Sequence, residues 1–355
     1  MDTLVSEKAL RELMERVFER EGFASKDARA IADVLMLADL FGIESHGAQR
    51  MMYYHQNIAS GSVNTTAEIE IVRETPVSGL LDAHFAMGQL AGVRAMGMAI
   101  KKAKQTGVGI VCVRNSSHYG IAGYYTLMAA REGLCAFSMT NTGPIMTPTF
   151  GREMMLGTNP IAFCMPAEPY PFWFDASTTV VTLGKVEVHA KREKPMPEGW
   201  TIDGNGETCT DAGKMNRSIL AGEMGGILPL GGEGETHSGH KGYGLAIMVE
   251  ALTGVLAQGL LSPEMQGAHG DHTSHFFLAF DPGMFGEPEA IRAQMSRYLD
   301  MLRSSERMPG AQRIYTPGEK AFESMARRRA HGIPVEEKTL AELRQIAAEL
   351  RVEAI

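Results

Sequence analysis

The chain has 355 residues, 44% hydrophobic and 21% charged, enough to bury a sizeable core in one compact body of two lobes. A formal net charge of −8 without a basic cluster argues against nucleic acid as a partner. No N-terminal stretch joins a basic start to an apolar run, and no apolar segment reaches about 18 residues, so a cytoplasmic protein is expected.

Residues 6–21 carry Leu10, Leu13, Met14, Val17 and Phe18 at helical spacing, with Ser6 as cap and Gly22 as stop. A second helix runs from about Ser25 to Leu40 and ends at Gly42, which releases the chain into Glu44-Ser45-His46-Gly47-Ala48-Gln49-Arg50. Imidazole titrates near neutrality, and a guanidinium stays charged and matches a carboxylate two bonds at a time. If residues 46–50 form a helical turn, His46 and Arg50 share one face. Such a pair suits holding a 2-hydroxy or 2-oxo acid by its carboxylate while moving the proton of the adjacent oxygen. The bland alternative is a His and an Arg decorating a helix end.

From about residue 76 the elements alternate. Residues 89–105 and 121–131 read as helices, 108–113 and 134–140 as buried strands, and 161–165, 172–174 and 276–280 as short apolar runs. Residues 243–258 read as a long buried helix, and helices return from Pro288. Alternation alone suggests a doubly wound parallel sheet. Against that, no Gly-x-Gly-x-x-Gly occurs: Gly107-Val108-Gly109 lacks the third glycine, and Gly204-Asn205-Gly206 lies in a polar turn. Asn159-Pro160 is expected to be architectural, the residue before proline being pushed toward extended geometry at a strand entry.

Cys112, Cys135, Cys164 and Cys209 are scattered, three of them in apolar strand-like runs, and read as small buried hydrophobes. His269, His272 and His275 with Asp271, and His237 with His240, resemble metal clusters. The first group runs into a strand pattern that would alternate their faces, so no metal site is expected. Arg327-Arg328-Arg329 lies in a tail with Glu323, Glu336 and Glu337 and reads as a solvated helix face. Most of the 24 methionines lie at core spacing and read as gap fillers.

Several further stretches act together. They are Asn115-Ser116-Ser117-His118-Tyr119-Gly120, Leu156-Gly157-Thr158-Asn159-Pro160, Phe174-Asp175-Ala176-Ser177-Thr178, Gly184-Lys185, Gly199-Trp200 with Asp203, Leu228-Pro229-Leu230-Gly231-Gly232 and His240-Lys241-Gly242-Tyr243-Gly244. In this order the chain resembles the type 2 malate/L-lactate dehydrogenase family, which also holds ureidoglycolate and sulfolactate dehydrogenases, diketogulonate reductase and ketimine-2-carboxylate reductases. The resemblance spans nearly the whole chain. It implies an α/β protein of α+β character: a non-Rossmann, seven-stranded, mostly antiparallel sheet within residues 76–287, surrounded by helices, and a helical lobe formed by residues 1–75 and 288–355. It also implies a homodimer or larger assembly, with the active site where two subunits meet.

The expected function is NAD(P)-dependent interconversion of a small, malate- or lactate-like 2-hydroxy acid and its 2-oxo acid. The alternatives are reduction of a cyclic ketimine-2-carboxylate or of a keto sugar acid, or a ligand-binding protein that retains the fold. His46 is expected to carry the proton, with Ser45 orienting or relaying to it, and Arg50 to anchor the substrate carboxylate. His118, in a strand-to-helix turn, is expected to touch the substrate; the ureidoglycolate branch places its proton acceptor at the matching position, so the two histidines can exchange roles. Asp203 reads as a turn former before Gly204, and Gly184-Lys185 looks more like the hydroxy-acid dehydrogenases than the imine reductases. For the cofactor, the resemblance implies Thr142, Asp175, Ala176, Ser177, His240, Lys241, Gly318 and Glu319. Lys241 supplies a charge for the pyrophosphate near the start of a helix, and Asp175, if it binds a ribose hydroxyl, tilts the choice to NAD. The acidic, glycine-rich stretch 231–239 is expected to shape the pocket mouth.

Overall fold

The computed structural model describes residues 2–268 and 270–355. Strand β1 (Asp2–Val5) leads into α1 (Glu7–Arg20), whose cap is as expected: the Ser6 hydroxyl accepts the Ala9 N–H at 3.1 Å. Helix α2 (Ser25–Phe41) stops at Gly42, which adopts a φ of +80° that glycine reaches without a Cβ penalty. Two single 3₁₀ turns, Glu44–His46 and Ala48–Arg50, then lead into α3 (Met51–Ala59). The site segment is therefore two turns broken at Gly47 rather than one helical turn.

Strands β2 (Glu70–Glu74) and β3 (Ser78–Asp82) precede α4 (Gly88–Thr106), β4 (Val108–Ser116), α5 (Gly123–Ala130), β5 (Cys135–Thr140), β6 (Ile161–Met165) and β7 (Phe172–Ala176). An excursion follows, with α6 (Leu183–Lys191), β8 (Thr201–Ile202), α7 (Ala212–Leu220) and β9 (Gly226–Ile227) around its own small core of Val186, Met215 and Ile227. Helix α8 (Gly239–Glu250) continues through a π-helical turn, Ala251–Val255, to β10 (Thr273–Phe280). The chain ends with α9 (Pro288–Arg303), α10 (Glu319–His331), β11 (Ile333–Glu336) and α11 (Glu337–Leu350).

Seven strands form one sheet in the order β2-β3-β4-β10-β5-β6-β7. Only β3 and β4 run parallel; every other neighbouring pair is antiparallel. The alternating pattern along the chain misleads toward a parallel sheet because β10, from far downstream, inserts between β4 and β5. Period alone cannot reveal such an insertion. Helices α4 and α5 cover one face, burying Ala91, Ala95 and Tyr125 against Val111, Val113 and Phe277. On the other face Val249 and Ala257 meet Cys112, Met139 and Phe276.

The chain ends share a core: Leu10, Leu13, Phe18, Ile31 and Tyr54 pack with Ile333, Leu343 and Ile346, and β1 pairs antiparallel with β11. Three details depart from sequence expectation. Arg328 is buried rather than solvated, because it ties α10 to the end of α2. The helix expected at 243–258 starts at Gly239 and is not buried all round: Leu245, Ile247, Met248, Val255 and Leu256 are exposed along it. Asn159 takes a φ of +36° rather than extended geometry, since its amide turns inward to donate to Ala246 and Glu250, although β6 does begin just after Pro160. All four cysteines are buried and free.

Candidate active site

The loop after α2 is held from both ends of the chain. The Asp39 carboxylate accepts the Ala48 N–H at 2.8 Å, and a Cβ on Gly47 would lie 2.0 Å from that carboxylate, so glycine is required there. Arg328 on α10 donates to the Asp39 carbonyl and to Glu44. Burial raises the Asp39 carboxyl to about 7.

On this loop the Ser45 hydroxyl lies 2.9 Å from His46 Nδ1, and Arg50 Nε donates to the Ser45 carbonyl at 2.7 Å. The bond fixes the guanidinium by its inner nitrogen. Among the described residues, no carboxylate pairs with Arg50. A half-buried, unpaired guanidinium is costly in an apolar setting and marks a place for an anion.

His118 arrives from the other lobe, at the end of β4. Its ring centroid lies 5.5 Å from that of His46, and its Nδ1 lies 2.6 Å from the hydroxyl of Tyr54, a fully buried residue on α3. Asp271, just before β10, holds this junction: it accepts the His118 N–H at 2.9 Å and the Tyr53 hydroxyl at 2.5 Å. The structure thus brings Ser45, His46, Arg50 and His118 together, and adds Tyr53, Tyr54 and Asp271. Tyr54 follows Arg50 by one helical turn, which was the signal available for it; Asp271 carried none beyond its neighbouring histidines.

The electrostatics suit proton transfer. Burial, helped by the Arg50 charge, lowers His46 to about 4. Burial, with His46, Arg50 and His275 adding to it, holds His118 well below the usual imidazole range. Both rings are neutral at neutral pH, as a proton acceptor and a neutral donor must be.

Both ring nitrogens of His275 are engaged. It is fully buried in β10, stacked on Tyr119 with centroids 4.3 Å apart, and its nitrogens lie 2.8 Å from the hydroxyls of Thr140 and Ser116. It ties the strand that carries His118 to the strand that leads to Thr142. His237 and His240 are exposed, His269 lies outside the described residues, and no group of His, Cys, Asp or Glu among the described residues could hold a metal ion.

The residues implied for a cofactor fall into two sets. Thr142, just past β5, accepts the Thr158 N–H at 3.0 Å, and Ser177, just past β7, accepts from the Thr179 hydroxyl at 3.0 Å. His240 and Lys241 are exposed in the first turn of α8, where the Lys241 N–H already donates to the Ser238 carbonyl at 2.9 Å. Asp175, beside Ala176, accepts the Gly123 N–H at the start of α5 at 2.7 Å, and burial raises its carboxyl to about 7. Gly318 packs on Trp173, with a Cβ position 3.0 Å from the tryptophan Cβ. The Glu319 carboxylate is engaged by Arg303, Arg313 and the Thr316 N–H, leaving that turn mainly its backbone for a ligand. Asp203 caps its own turn through Asn205 and pairs with Lys214. Gly184 reaches the loop directly: a Cβ there would lie 4.0 Å from that of Ser45. Hydroxyls, one carboxylate and a cation beside a helix start are the donor set a dinucleotide requires.

A mostly antiparallel sheet with two neutral histidines and an unpaired guanidinium beyond the end of β4 describes a non-Rossmann dehydrogenase site. The chain belongs to the malate/L-lactate dehydrogenase family, whose model matches residues 5–344. It is 44% identical over 342 residues to a malate dehydrogenase of Pyrococcus horikoshii, covering 96% of this chain and 93% of that one. It is 35% identical to the L-sulfolactate dehydrogenase of Methanocaldococcus jannaschii, covering 94% and 93%. The fold superposes on the crystal structure of malate dehydrogenase from Entamoeba histolytica with a TM-score of 0.96, at 33% identity and 99% coverage of both chains. Membership implies a nicotinamide cofactor.

Proposed function

We propose that the protein is an NAD-dependent dehydrogenase that interconverts a small malate-like 2-hydroxy acid and its 2-oxo acid. The observation that carries this is Arg50: a guanidinium clamped through Nε, lacking a carboxylate partner among the described residues, and set beside two neutral imidazoles. Bound nicotinamide supplies the acceptor for the hydride. The chain does the rest: Arg50 holds the substrate carboxylate, His46 takes the hydroxyl proton with Ser45 orienting its ring, and His118 holds the reacting oxygen. Asp175, with one oxygen committed to Gly123, offers the other to a ribose hydroxyl and disfavours a phosphate there, which is the case for NAD.

The working unit is a homodimer. The exposed side chains Leu245, Ile247, Met248, Val255 and Leu256 line the helix whose first turn carries His240 and Lys241. An apolar row of this length is the mark of an interface, and a second copy supplies a self-complementary cover.

A panel of malate, lactate, sulfolactate and ureidoglycolate with NAD, and of 2-oxo acids and cyclic ketimine carboxylates with NADH and NADPH, tests the reading. Malate or a near analogue with NAD is expected to give the highest kcat/KM. A ketimine turned over while every hydroxy acid is inert would move the enzyme to the imine-reducing branch.

A further inference from the structure

From the bonds at His118, we propose that Tyr54 and the Gly120 backbone lock this imidazole as its Nε2–H tautomer. His118 then serves the reaction as a neutral hydrogen-bond donor, and proton acceptance falls to His46. The inference deepens the dehydrogenase reading and rests on it for its catalytic part; the tautomer itself stands on geometry alone.

Two groups converge on His118 Nδ1. The Tyr54 hydroxyl lies 2.6 Å away, a contact in which either partner is able to donate. The Gly120 N–H lies 3.4 Å from the same nitrogen and points at it. A backbone N–H only donates, so Nδ1 meets it as an acceptor and carries no proton. Tyr54 must then donate too, and the phenol is fit to do so: burial raises it above its ordinary range and keeps it protonated. A neutral imidazole holds one proton, which places it on Nε2. Among the described residues Nε2 meets no hydrogen-bond partner, so that N–H is left for the substrate oxygen.

The turn that carries the Gly120 N–H is built on a glycine. Gly120 has a φ of +80°, and a Cβ there would come within 2.6 Å of Val34, so the chain reverses tightly and aims the Gly120 N–H back at the ring two residues before it. Asp271 fixes the backbone on the other side by accepting the His118 N–H at 2.9 Å. Tyr54, fully buried on α3, thereby carries the position of the chain-end lobe into the protonation state of a residue on the sheet.

His46 lacks such a lock. Its Nδ1 faces the Ser45 hydroxyl, which accepts as readily as it donates, so Nε2 can hold a lone pair. The two histidines thus differ in their partners rather than in their neutrality. Tyr54 is a positioning residue and His118 a catalytic one.

Nitrogen-15 NMR of the full protein labelled at histidine, with His118 assigned by its disappearance in His118→Asn, reads the tautomer without any turnover. At neutral pH the expected result is an unprotonated-type Nδ1 and a protonated-type Nε2. In Tyr54→Phe the two signals are expected to shift toward a mixture, with kcat lowered about tenfold, the worth of one hydrogen bond, and the KM for NADH unchanged. His118→Gln, which sets an amide N–H near the place of Nε2, is expected to stay within about tenfold of wild type, whereas loss of a proton acceptor costs about 100-fold or more. A protonated Nδ1 in the wild-type protein would overturn the lock. A correct tautomer with His118→Gln inactive would overturn the donor role. A correct tautomer with no dehydrogenase activity toward any substrate would instead sink the proposed function and leave the lock standing.

Discussion

The two halves of the candidate site are built in opposite ways. On the substrate side nearly every polar group is spoken for: Asp271 holds Tyr53 and the His118 backbone, Tyr54 holds the His118 ring, and Asp39 holds the loop that carries His46. On the side proposed for the cofactor, His240 and Lys241 stand in solvent at the start of a helix whose next turns carry exposed apolar side chains. Proton transfer demands a neutral, desolvated base in a fixed place, and only a crowded site supplies it. A dinucleotide presents many weak handles spread over a long molecule, so a side that binds one can remain open until the ligand arrives.

If that contrast is real, substitutions on the crowded side cost turnover and those on the open side cost affinity. The largest effect is expected from His46→Asn, which keeps hydrogen bonding but cannot exchange a proton near neutrality. Steady-state kinetics in both directions should show kcat reduced by about 100-fold or more, with NADH affinity little changed. In the wild-type enzyme the acid limb of kcat/KM for oxidation should fall near pH 4 rather than 6.5, because His46 accepts a proton only above its lowered value. A limb at the ordinary imidazole position in the free enzyme would mean that His46 is not the base.

Arg50→Lys keeps the charge and loses the planar fork. The substrate KM should rise by about 10- to 100-fold, the range for a charge-assisted bond, while NADH binding followed by fluorescence stays as in wild type. Unchanged kinetics would remove Arg50 from the site. On the open side, Lys241→Ala should raise the KM for NADH by about tenfold or less, as expected for one exposed charge, and leave kcat near wild type. A hundredfold loss of kcat there would break the contrast.

Assembly and stability give smaller signals in activity. Leu256→Glu puts a charge into the exposed apolar row, and light scattering should report a monomer where the wild type is a dimer. A wild-type monomer that is fully active would contradict the proposed dimer. Asp39→Asn tests what holds the His46 loop. The Asp39 carboxyl is raised in the fold from 3.8 to about 7, so its favourable contribution is complete below about pH 4 and is lost as pH rises through 7. The variant should gain stability relative to wild type across that window, by up to about 1.4 kcal/mol per pH unit, in denaturant titrations at several pH values. A constant difference between the two proteins would show that Asp39 is ionised in the fold throughout.

Much of the substrate side is local in sequence. The stop at Gly42, the Ser45-His46 pair and Arg50 follow one another along the chain, so their closeness can be read from spacing. The capped first helix, the buried cysteines and the strands at 108–113 and 134–140 follow from periodicity for the same reason. What depends on distant segments meeting was not legible in residue pattern. Insertion of β10 between β4 and β5 makes the sheet antiparallel there, and it brings Asp271 to His118 and His275 between Ser116 and Thr140. The buried state of Arg328 depends on α10 crossing the end of α2, and the tautomer of His118 on α3 from one lobe meeting a turn of the other. Spacing encodes which face of an element is apolar; it does not encode which partner that face will find, and the protonation of a buried imidazole is set by that partner.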